Sequence, residues 1–556
     1  MKPILNIEEV TRLEDIIERE GTSKAELMEH AGELLASAAE AEHPDRVLVL
    51  TGFGNNGGDG WVAADILQQK GVHVDVVSPV DPSEIPSALA RHVARRTAGR
   101  DVNVVVGPSR DELMELGEQA DVIIDAILGT GFHGAPRPPF SIWIPAVNEL
   151  SSFVVSADVP SGLNAQTGVV EDCCIRADKT LTMLAPKIGL YSGDGPEYAG
   201  DIQVGELYDK LDEVIGDVDH AAEIVQAGDL IDYITSLPAS IDKYSRGSVL
   251  VVAGSASYPG AAMMAAKAAA RAGAGYVAVA APDACANLIR MALPSIPVHA
   301  IPSDSRGAFG AAARMIVCEL AQKYDCVLCG PGMTTGAGCM QVVTGLMELD
   351  VPLVLDADAL NCLSHIAIDG IEKTPDMYRR EAPLIMTPHY RELSRLVGEE
   401  DEVFDLGTAI DAAQKILWAG GSDNMVIVCK GPTTAVVGVE RVLIPASGPA
   451  SLATAGSGGR LIPASGPASL ATAGSGDVLA GIISGTIATL HAEVDVWELA
   501  LSYAVSIHSY TGFAAAAEYG EKSVIATDLI DVIGEAMQLV ENEALKDLGA
   551  LDSEGE

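Results

Sequence analysis

Apolar residues along this 556-residue chain follow two rhythms that alternate. Short runs such as VLVL at 47–50, VLVV at 249–252 and CVLC at 326–329 are apolar at every position rather than at every second one. Strands of that kind are covered on both faces. Between such runs lie stretches with apolar residues three and four apart, the period of a helix buried along one side. The first of these opens at Ser23-Lys-Ala-Glu26, which has capping-box spacing, and extends to about Ala39. Strands are predicted at 46–51, 72–78, 102–106, 121–125 and 153–158, and EYAGDIQVGEL at 197–207 closes this series. An acidic stretch at 211–223 follows, and a boundary is expected there. A second series then predicts strands at 248–253, 276–280, 325–329, 352–356, 383–386 and 425–429, with a long Ala-rich helix over 261–273. Strand and helix in alternation specify a parallel sheet covered by helices, here twice over. The fold class is therefore α/β, in two domains, as the length also requires.

Composition narrows the range of partners. Hydrophobic residues make up 48% but aromatics only 4%, so the cores are built from Ala, Val, Ile and Leu. The formal net charge of −43 repels nucleic acid and anionic membranes, so neither is an expected partner. An anionic ligand must then be held by local N–H groups, helix ends and a few placed cations. Nine cysteines without regular spacing fit a reducing, cytoplasmic setting. Cys326 and Cys329 spell CxxC, but they lie in an apolar run and read as core residues of a strand. The N-terminus lacks an apolar signal core, and Lys267 and Arg271 interrupt the Ala-rich run at 261–281, so no membrane span is expected.

The densest chemistry is at 47–60, VLVLTGFGNNGGDG. A strand enters a turn with five glycines, and a helix is expected from about Trp61 to Lys70. Backbone N–H groups in such a turn approach an anion closely, helped by the helix dipole. The turn is neither a Walker A loop nor a clean GxGxxG. Asn55, Asn56 and Asp59 add side-chain oxygens, which suits a cation beside a phosphate. Asp125 and Asp158 likewise end strands and enter DAILGTG and DVPSGLNAQTG. Ligands bind at the carboxyl ends of strands in open parallel sheets. Asn56, Asp125 and Ser161 together make a low-charge oxygen cage of the kind that suits potassium.

One segment is doubled. LIPASGPASLATAGSG occurs at 443–458 and again at 461–476. Only the second copy runs into Asp477 and an apolar helical stretch, so it is expected to be the working one, with the first looped out at small entropic cost.

GFGNNGGDG, DAILGTG and DVPSG, with LMEHAG at 27–32, resemble the NAD(P)H-hydrate epimerase family. That resemblance implies a Rossmann-like domain over 1–215 that interconverts the R and S forms of NADHX and NADPHX and binds potassium through Asn56, Asp125 and Ser161. It assigns Asn55, Asn56, Gly57, Gly58 and Asp59, then Gly129, Thr130, Gly131, Phe132, His133, Gly134 and Ala135, to the substrate. It places Asp158 beside the reacting ring, with Lys187 as its partner acid or base. His30 stands where the family has Asn.

The second half resembles the companion dehydratase, of ribokinase-like α/β fold, over 224–545. The matching segments are DKYSRGSVLVVAGSASYPGAAMMAAKAAARAGAGYV, GPGMT, LDADALN, TPHYREL, KGPTT and GSGDVLAG. The resemblance implies that Asp477 is catalytic. Ala261, Gly332, His389 and Asp477 would contact the substrate. Lys430, Gly431, Pro432, Thr433, Thr434 and Gly476 would meet the nucleotide. Asp242, Tyr390-Arg391, Ala473 and Ser475 depart from the family pattern but leave the acid and the glycines in place. A two-domain fusion of this sort implies ADP, with Mg2+, rather than ATP. The implied activity is repair of hydrated NAD(P)H by epimerisation and ADP-driven dehydration, in a homo-oligomer. The alternative is a small-molecule kinase of the hydroxymethylpyrimidine or pyridoxal type, preceded by a non-catalytic nucleotide-binding module.

Overall fold

The structure, a computed structural model, describes residues 1–100, 102–234, 240–366, 378, 380–398, 403–422, 424–445, 466–490 and 496–549. The chain forms two compact units, one built mainly from Lys2–Ala222 and the other from Glu223–Pro449 and Gly466–Glu556.

The first unit carries a seven-stranded sheet. Its strands are β1 (Arg46–Thr51), β2 (His73–Ser78), β3 (Asn103–Val106), β4 (Val122–Ala126), β5 (Phe153–Ala157), β6 (Lys179–Met183) and β7 (Asp201–Gly205). They lie in the order β3-β2-β1-β4-β5-β6-β7, every pair parallel. The order reverses between β1 and β4, where a crevice opens at the carboxyl ends. Register sets Leu50 beside Asp125 and Asp125 beside Ser156, so a polar row crosses the mouth of that crevice. The helix Lys24–Glu40 begins with the expected capping box between Ser23 and Glu26. Strand β6 eluded the pattern because it buries Lys179, Thr180 and Thr182, each satisfied internally; Thr180 Oγ1, for example, donates to Ala199 O at 2.6 Å.

The Gly-rich turn after β1 differs from expectation. The helix starts at Asn55 rather than near Trp61 and runs to Gln69, with Gly54 as its N-cap. The glycines that suggested a loop are its first turns. A side chain on Gly57 would meet the Gly52 backbone, one on Gly58 would meet the Met28 thioether at 2.5 Å, and one on Gly60 would meet Ala126 Cβ at 2.7 Å. Glycine therefore serves close packing here, and lets the helix start hard against β1 and β4.

The second unit's strands are β8 (Ala222–Val225), β9 (Ser248–Val252), β10 (Tyr276–Pro282), β11 (Val298–Ile301), β12 (Cys326–Cys329), β13 (Leu353–Leu355), β14 (Leu384–Met386), β15 (Met425–Cys429), β16 (Ala435–Val437) and β17 (Val442–Pro445). They lie in the order β8-β17-β16-β15-β14-β13-β12-β9-β10-β11. All pairs among these are parallel except β15 with β16 and β16 with β17. Cys326 and Cys329 are buried in β12, and both are free thiols. The Ala-rich helix Pro259–Arg271 packs on the helix Ser475–Leu490, where Gly481 and Gly485 face the carbonyls of Ala265 and Ala269 and permit close approach. No helix among the described residues is long and apolar enough to cross a membrane.

Candidate active sites

In the first unit a cleft of about 640 Å³ opens at the carboxyl ends of β1, β4 and β5. Asn55, Asn56 and Asp59 reach it from the first turns of the helix, Gly129 through His133 from the loop after β4, and Asp158 from the end of β5. Of the residues that sequence assigned to the substrate here, Gly57, Gly58, Gly134 and Ala135 do not line the cleft. Gly57 and Gly58 are buried in the helix that carries the others. Glu14 and Lys24 also line the cleft, and sequence reasoning did not mark either. Glu14 belongs to the amphipathic helix Ile7–Arg19, far from any Gly motif.

Asp158 is held in an unusual way. Its φ of +67° lies in the left-handed region, which costs a non-glycine residue roughly 1–2 kcal/mol. Its backbone N–H donates to Leu181 O at 2.8 Å, and its carboxylate accepts from Met183 N at 3.1 Å. Lys187 is fully buried and forms an ion pair with Asp158. The same ammonium donates to Thr182 Oγ1 at 3.2 Å and to Met183 O at 2.8 Å. Its three N–H bonds are thus all directed at protein acceptors. Asp59 has the opposite setting. Burial, then the charges of Asp158 and Glu14, push its carboxyl well above the usual carboxylate range. Glu14 is pushed up as well, by burial first and then by Asp158.

Asp125 is buried behind the cleft. It accepts from Ser161 Oγ at 2.5 Å, Ser161 N at 2.9 Å, Ser156 Oγ at 2.8 Å and Ile127 N at 3.3 Å. Burial raises its pKa even so, the hydrogen bonds opposing. Nearby, Asn56 Nδ2 is buried without a hydrogen-bond partner among the described residues, and its side chain abuts Gly129. The oxygens of the Asp125 carboxylate, the Ser161 hydroxyl and the Asn56 amide form a low-charge donor set that fits a monovalent hard cation; the unpaired Asn56 Nδ2 is a hydrogen-bond donor and takes no part in it.

The second unit gathers its polar residues at the carboxyl ends of β13, β14 and β15. Asp356 follows β13 and is buried; it accepts from Thr387 Oγ1 at 2.7 Å and from Lys430 Nζ at 2.6 Å. Lys430 ends β15. Burial opposes its charge, but Asp356, Glu392 and Asp477 outweigh that and leave its pKa raised. A Cβ on Gly476 would sit 3.5 Å from Lys430 Nζ, so the ammonium lies against the start of the helix Ser475–Leu490. Asp477 is in that first turn. Burial, with Asp356 adding to it, raises its carboxyl to about 7. The loop Gly431–Thr434 joins β15 to β16, with Thr433 buried and Gly431 under the Tyr390 hydroxyl. Gly332, at φ +62°, fits against Ala261 where a side chain would come within 2.9 Å of Ala261 Cβ. One turn along the same helix, Met264 packs on Gly474.

His389 caps the helix Tyr390–Val397, with Nδ1 accepting from Glu392 N at 3.2 Å. Burial, then Lys430, lower its pKa to about 4, so it is neutral at pH 7. Sequence reasoning missed His508. It lies in the helix Trp497–Tyr519, is buried, and sets Nε2 3.1 Å from Ser475 Oγ and 3.2 Å from Ser475 O. It therefore braces the turn that presents Gly476 and Asp477. No local motif surrounds it, so only the fold reveals it.

The doubled segment is used in halves. The strand β17 takes Leu443, Ile444 and Pro445 from the first copy. From Gly466 onward the second copy supplies the turn: Gly466 N donates to Pro432 O at 3.0 Å, Ser469 Oγ to Gly512 O at 2.7 Å, and the helix with Asp477 follows. The turn with Asp477 thus comes from the second copy, while the strand before it comes from the first; the rest of the first copy lies outside the described residues.

Comparison with known proteins matches residues 24–189 to the family described as YjeF-related protein N-terminus. Residues 249–461 match the family described as NAD(P)H-hydrate dehydratase. The chain is 35% identical over 550 residues to the bifunctional NAD(P)H-hydrate repair enzyme Nnr of Salinibacter ruber, covering 93% of this chain and 92% of that protein. Against proteins of the same name from Hyperthermus butylicus and Methanothermobacter thermautotrophicus, identity is 34% and 32%, each over 93% of this chain and over 89% and 92% of those proteins. Similarity of this extent spans both units and both sites, and the chain belongs to the family of bifunctional NAD(P)H-hydrate repair enzymes.

Proposed function

We propose that the first unit, 1–215, interconverts the R and S forms of NADHX and NADPHX, and that the second, 224–545, dehydrates the S form at the expense of ADP. The observation that carries this reading is the coexistence in one chain of an intact Asp158–Lys187 pair in a cleft and of Asp477 beside Lys430 at a helix start. The kinase alternative shares the Gly-Ser-Gly-Asp turn but has no use for the first cleft, and relatives matching over both units do not favour it.

In the dehydratase, the hydroxyl to be removed is a poor leaving group. Asp477 accepts its proton as the oxygen attacks the β-phosphorus of ADP and displaces AMP; loss of the resulting phosphate together with a proton from the adjacent ring carbon restores the dihydronicotinamide. Lys430 and the first-turn N–H groups meet the phosphate charge. Asp356 holds Lys430 in place. Mg2+ bound with the ADP would spread the charge of its phosphates. In the epimerase, Asn56, Asp125 and Ser161 are the residues suited to hold potassium, which would supply a fixed positive charge beside the substrate. Gly129 through His133 border the same cleft and suit the dinucleotide, with Asp158 toward its altered ring.

Mixed-epimer NADHX incubated with ADP, ATP or neither, followed by dihydronicotinamide absorbance, tests the reading. Full recovery is expected with ADP. Asp477→Ala should abolish recovery while R/S exchange continues, and Asp158→Asn should restrict rapid recovery to the S fraction. Phosphorylation of a pyrimidine or pyridine alcohol with no recovery of NADH would overturn it.

A further inference from the structure

We propose that Asp59 is the general acid of the epimerase: it gives its proton to the departing hydroxyl and takes one back when water adds to the opposite face of the ring. This rests on the epimerase reading of the first unit.

Breaking the C–O bond at the hydroxyl-bearing ring carbon needs a proton on the leaving oxygen. The ring nitrogen's lone pair moves into a carbon–nitrogen double bond, the C–O pair goes to oxygen, and water departs. In the reverse sense, water attacks that carbon, the double-bond pair returns to nitrogen, and the surplus proton goes to the carboxylate left behind. One proton and one water are thus lent and returned, and no other reactant is required.

Glu14, Asp59, Asp158 and Lys187 are the groups in and behind the cleft that compete for the role. Glu14 also lines the cleft with a raised carboxyl, but the charges of Lys187 and Lys24 oppose that rise, whereas no cation opposes it at Asp59. Lys187 is excluded by its own geometry. It is fully buried, and its ammonium is committed to Asp158, Thr182 Oγ1 and Met183 O, which leaves no N–H for the cleft. Asp158 is already committed: its carboxylate accepts from the buried Lys187 ammonium and from Met183 N. Asp59 lines the same cleft, yet no described residue donates a hydrogen bond to its carboxyl group, and no cation pairs with it. Its neighbours in charge are the carboxylates of Asp158 and Glu14, which favour its protonated form. Two carboxyl groups in one cleft with settings this different take different parts.

The helix start explains why Asp59 is available. Asn55 and Asn56 occupy the first turn of the helix, and Asp59 lies one turn further in, pressed toward the helix Lys24–Glu40, where its carbonyl comes close to Gly32. Titratable or charged groups that face this cleft from the surrounding elements are Glu14, Lys24, His133, Asp158 and Lys187.

The test is Asp59→Asn in the full chain, a near-isosteric change that keeps a neutral group in place. R/S exchange is followed without nucleotide across the pH range in which the chain stays folded. We expect kcat to fall about 10²–10⁴-fold with KM moving less than about threefold. A wild-type fall in rate with rising pH, as Asp59 loses its proton, should vanish from the variant. A kcat within about threefold of wild type, or a reduced rate that still declines at alkaline pH, would overturn the proposal. ADP-dependent consumption of purified S epimer by the same preparation reports that the chain is folded. Absence of R/S exchange in the wild type would instead remove the epimerase reading itself, and this result is distinct from the variant's failure.

Discussion

At the scale of single residues, the two units solve one problem in two ways: each keeps a carboxyl group under unfavourable conditions for a use. Asp477 is the clearest case, because its cost should be measurable. Burial raises its carboxyl from 3.8 to about 7 in the folded protein. Between those values the folded chain holds a proton that the unfolded chain has released. This group's contribution to stability is therefore complete below pH 3.8, declines as pH rises, and is lost once pH passes 7. Asp477→Asn removes the charge and with it the decline. The variant should exceed wild type in unfolding free energy, read from denaturant titration, at pH 8 by on the order of 1 kcal/mol since solvent reaches the carboxylate, and the gap should shrink at pH 5.5. A gap independent of pH would contradict the assignment. For the same reason kcat/KM for dehydration should rise through about pH 7 as Asp477 deprotonates. Asp477 and Asp158 were legible in the sequence because each enters a glycine turn directly. Asp356 lay within a recognised motif without a role, and Glu14 and His508 come from segments that carry no motif, so only folding brings them into place.

Among elements, the helix Asn55–Gln69 shows where pattern reading succeeds and where it misleads. The strand before it was placed correctly, since an apolar run between polar ends has one reading. Its glycines were taken as a loop because glycine is a poor helix former in isolation. Contacts decide the matter: the helix can start at Asn55 only because Gly57, Gly58 and Gly60 let it press on Gly52, Met28 and Ala126. Two neighbouring substitutions separate this from a flexible turn. Gly54→Ala, where a side chain would meet nothing within 4 Å and φ is −96°, should leave stability and R/S exchange near wild type. Gly57→Ala, whose Cβ would run into the Gly52 backbone, should cost about 1–3 kcal/mol and abolish exchange. Thermal melts and epimer analysis of both variants check this, and equal behaviour of the two would show that the segment is a loop after all. Strands β6 and β16 were illegible for other reasons. The first hides polar residues in the interior, and the second spans only Ala435–Val437, too short for a period to emerge.

For the whole molecule, the doubled segment asks how an α/β unit tolerates extra chain between a sheet strand and the helix that carries its acid. The strand Val442–Pro445 and the turn from Gly466 are each anchored independently, the one by pairing with β16 and β8, the other by Pro432 and Gly512. These anchoring contacts all lie outside residues 446–465. Because the copies are identical, removal of 446–463 joins Pro445 to Ala464-Ser465-Gly466 and leaves a single copy with every anchoring residue in place. Loop-closure entropy falls by about 0.6 kcal/mol for each halving of length, so a cut of this size should stabilise the second unit by roughly 2 kcal/mol. The deletion should therefore raise its unfolding midpoint, leave R/S exchange unchanged and preserve ADP-dependent dehydration. The connection is then limited by reach, at most about 3.3–3.6 Å per residue. Were Pro445 and Gly466 held further apart than those few residues span, dehydration would be lost while exchange survived, and the duplicated stretch would prove to be a required spacer.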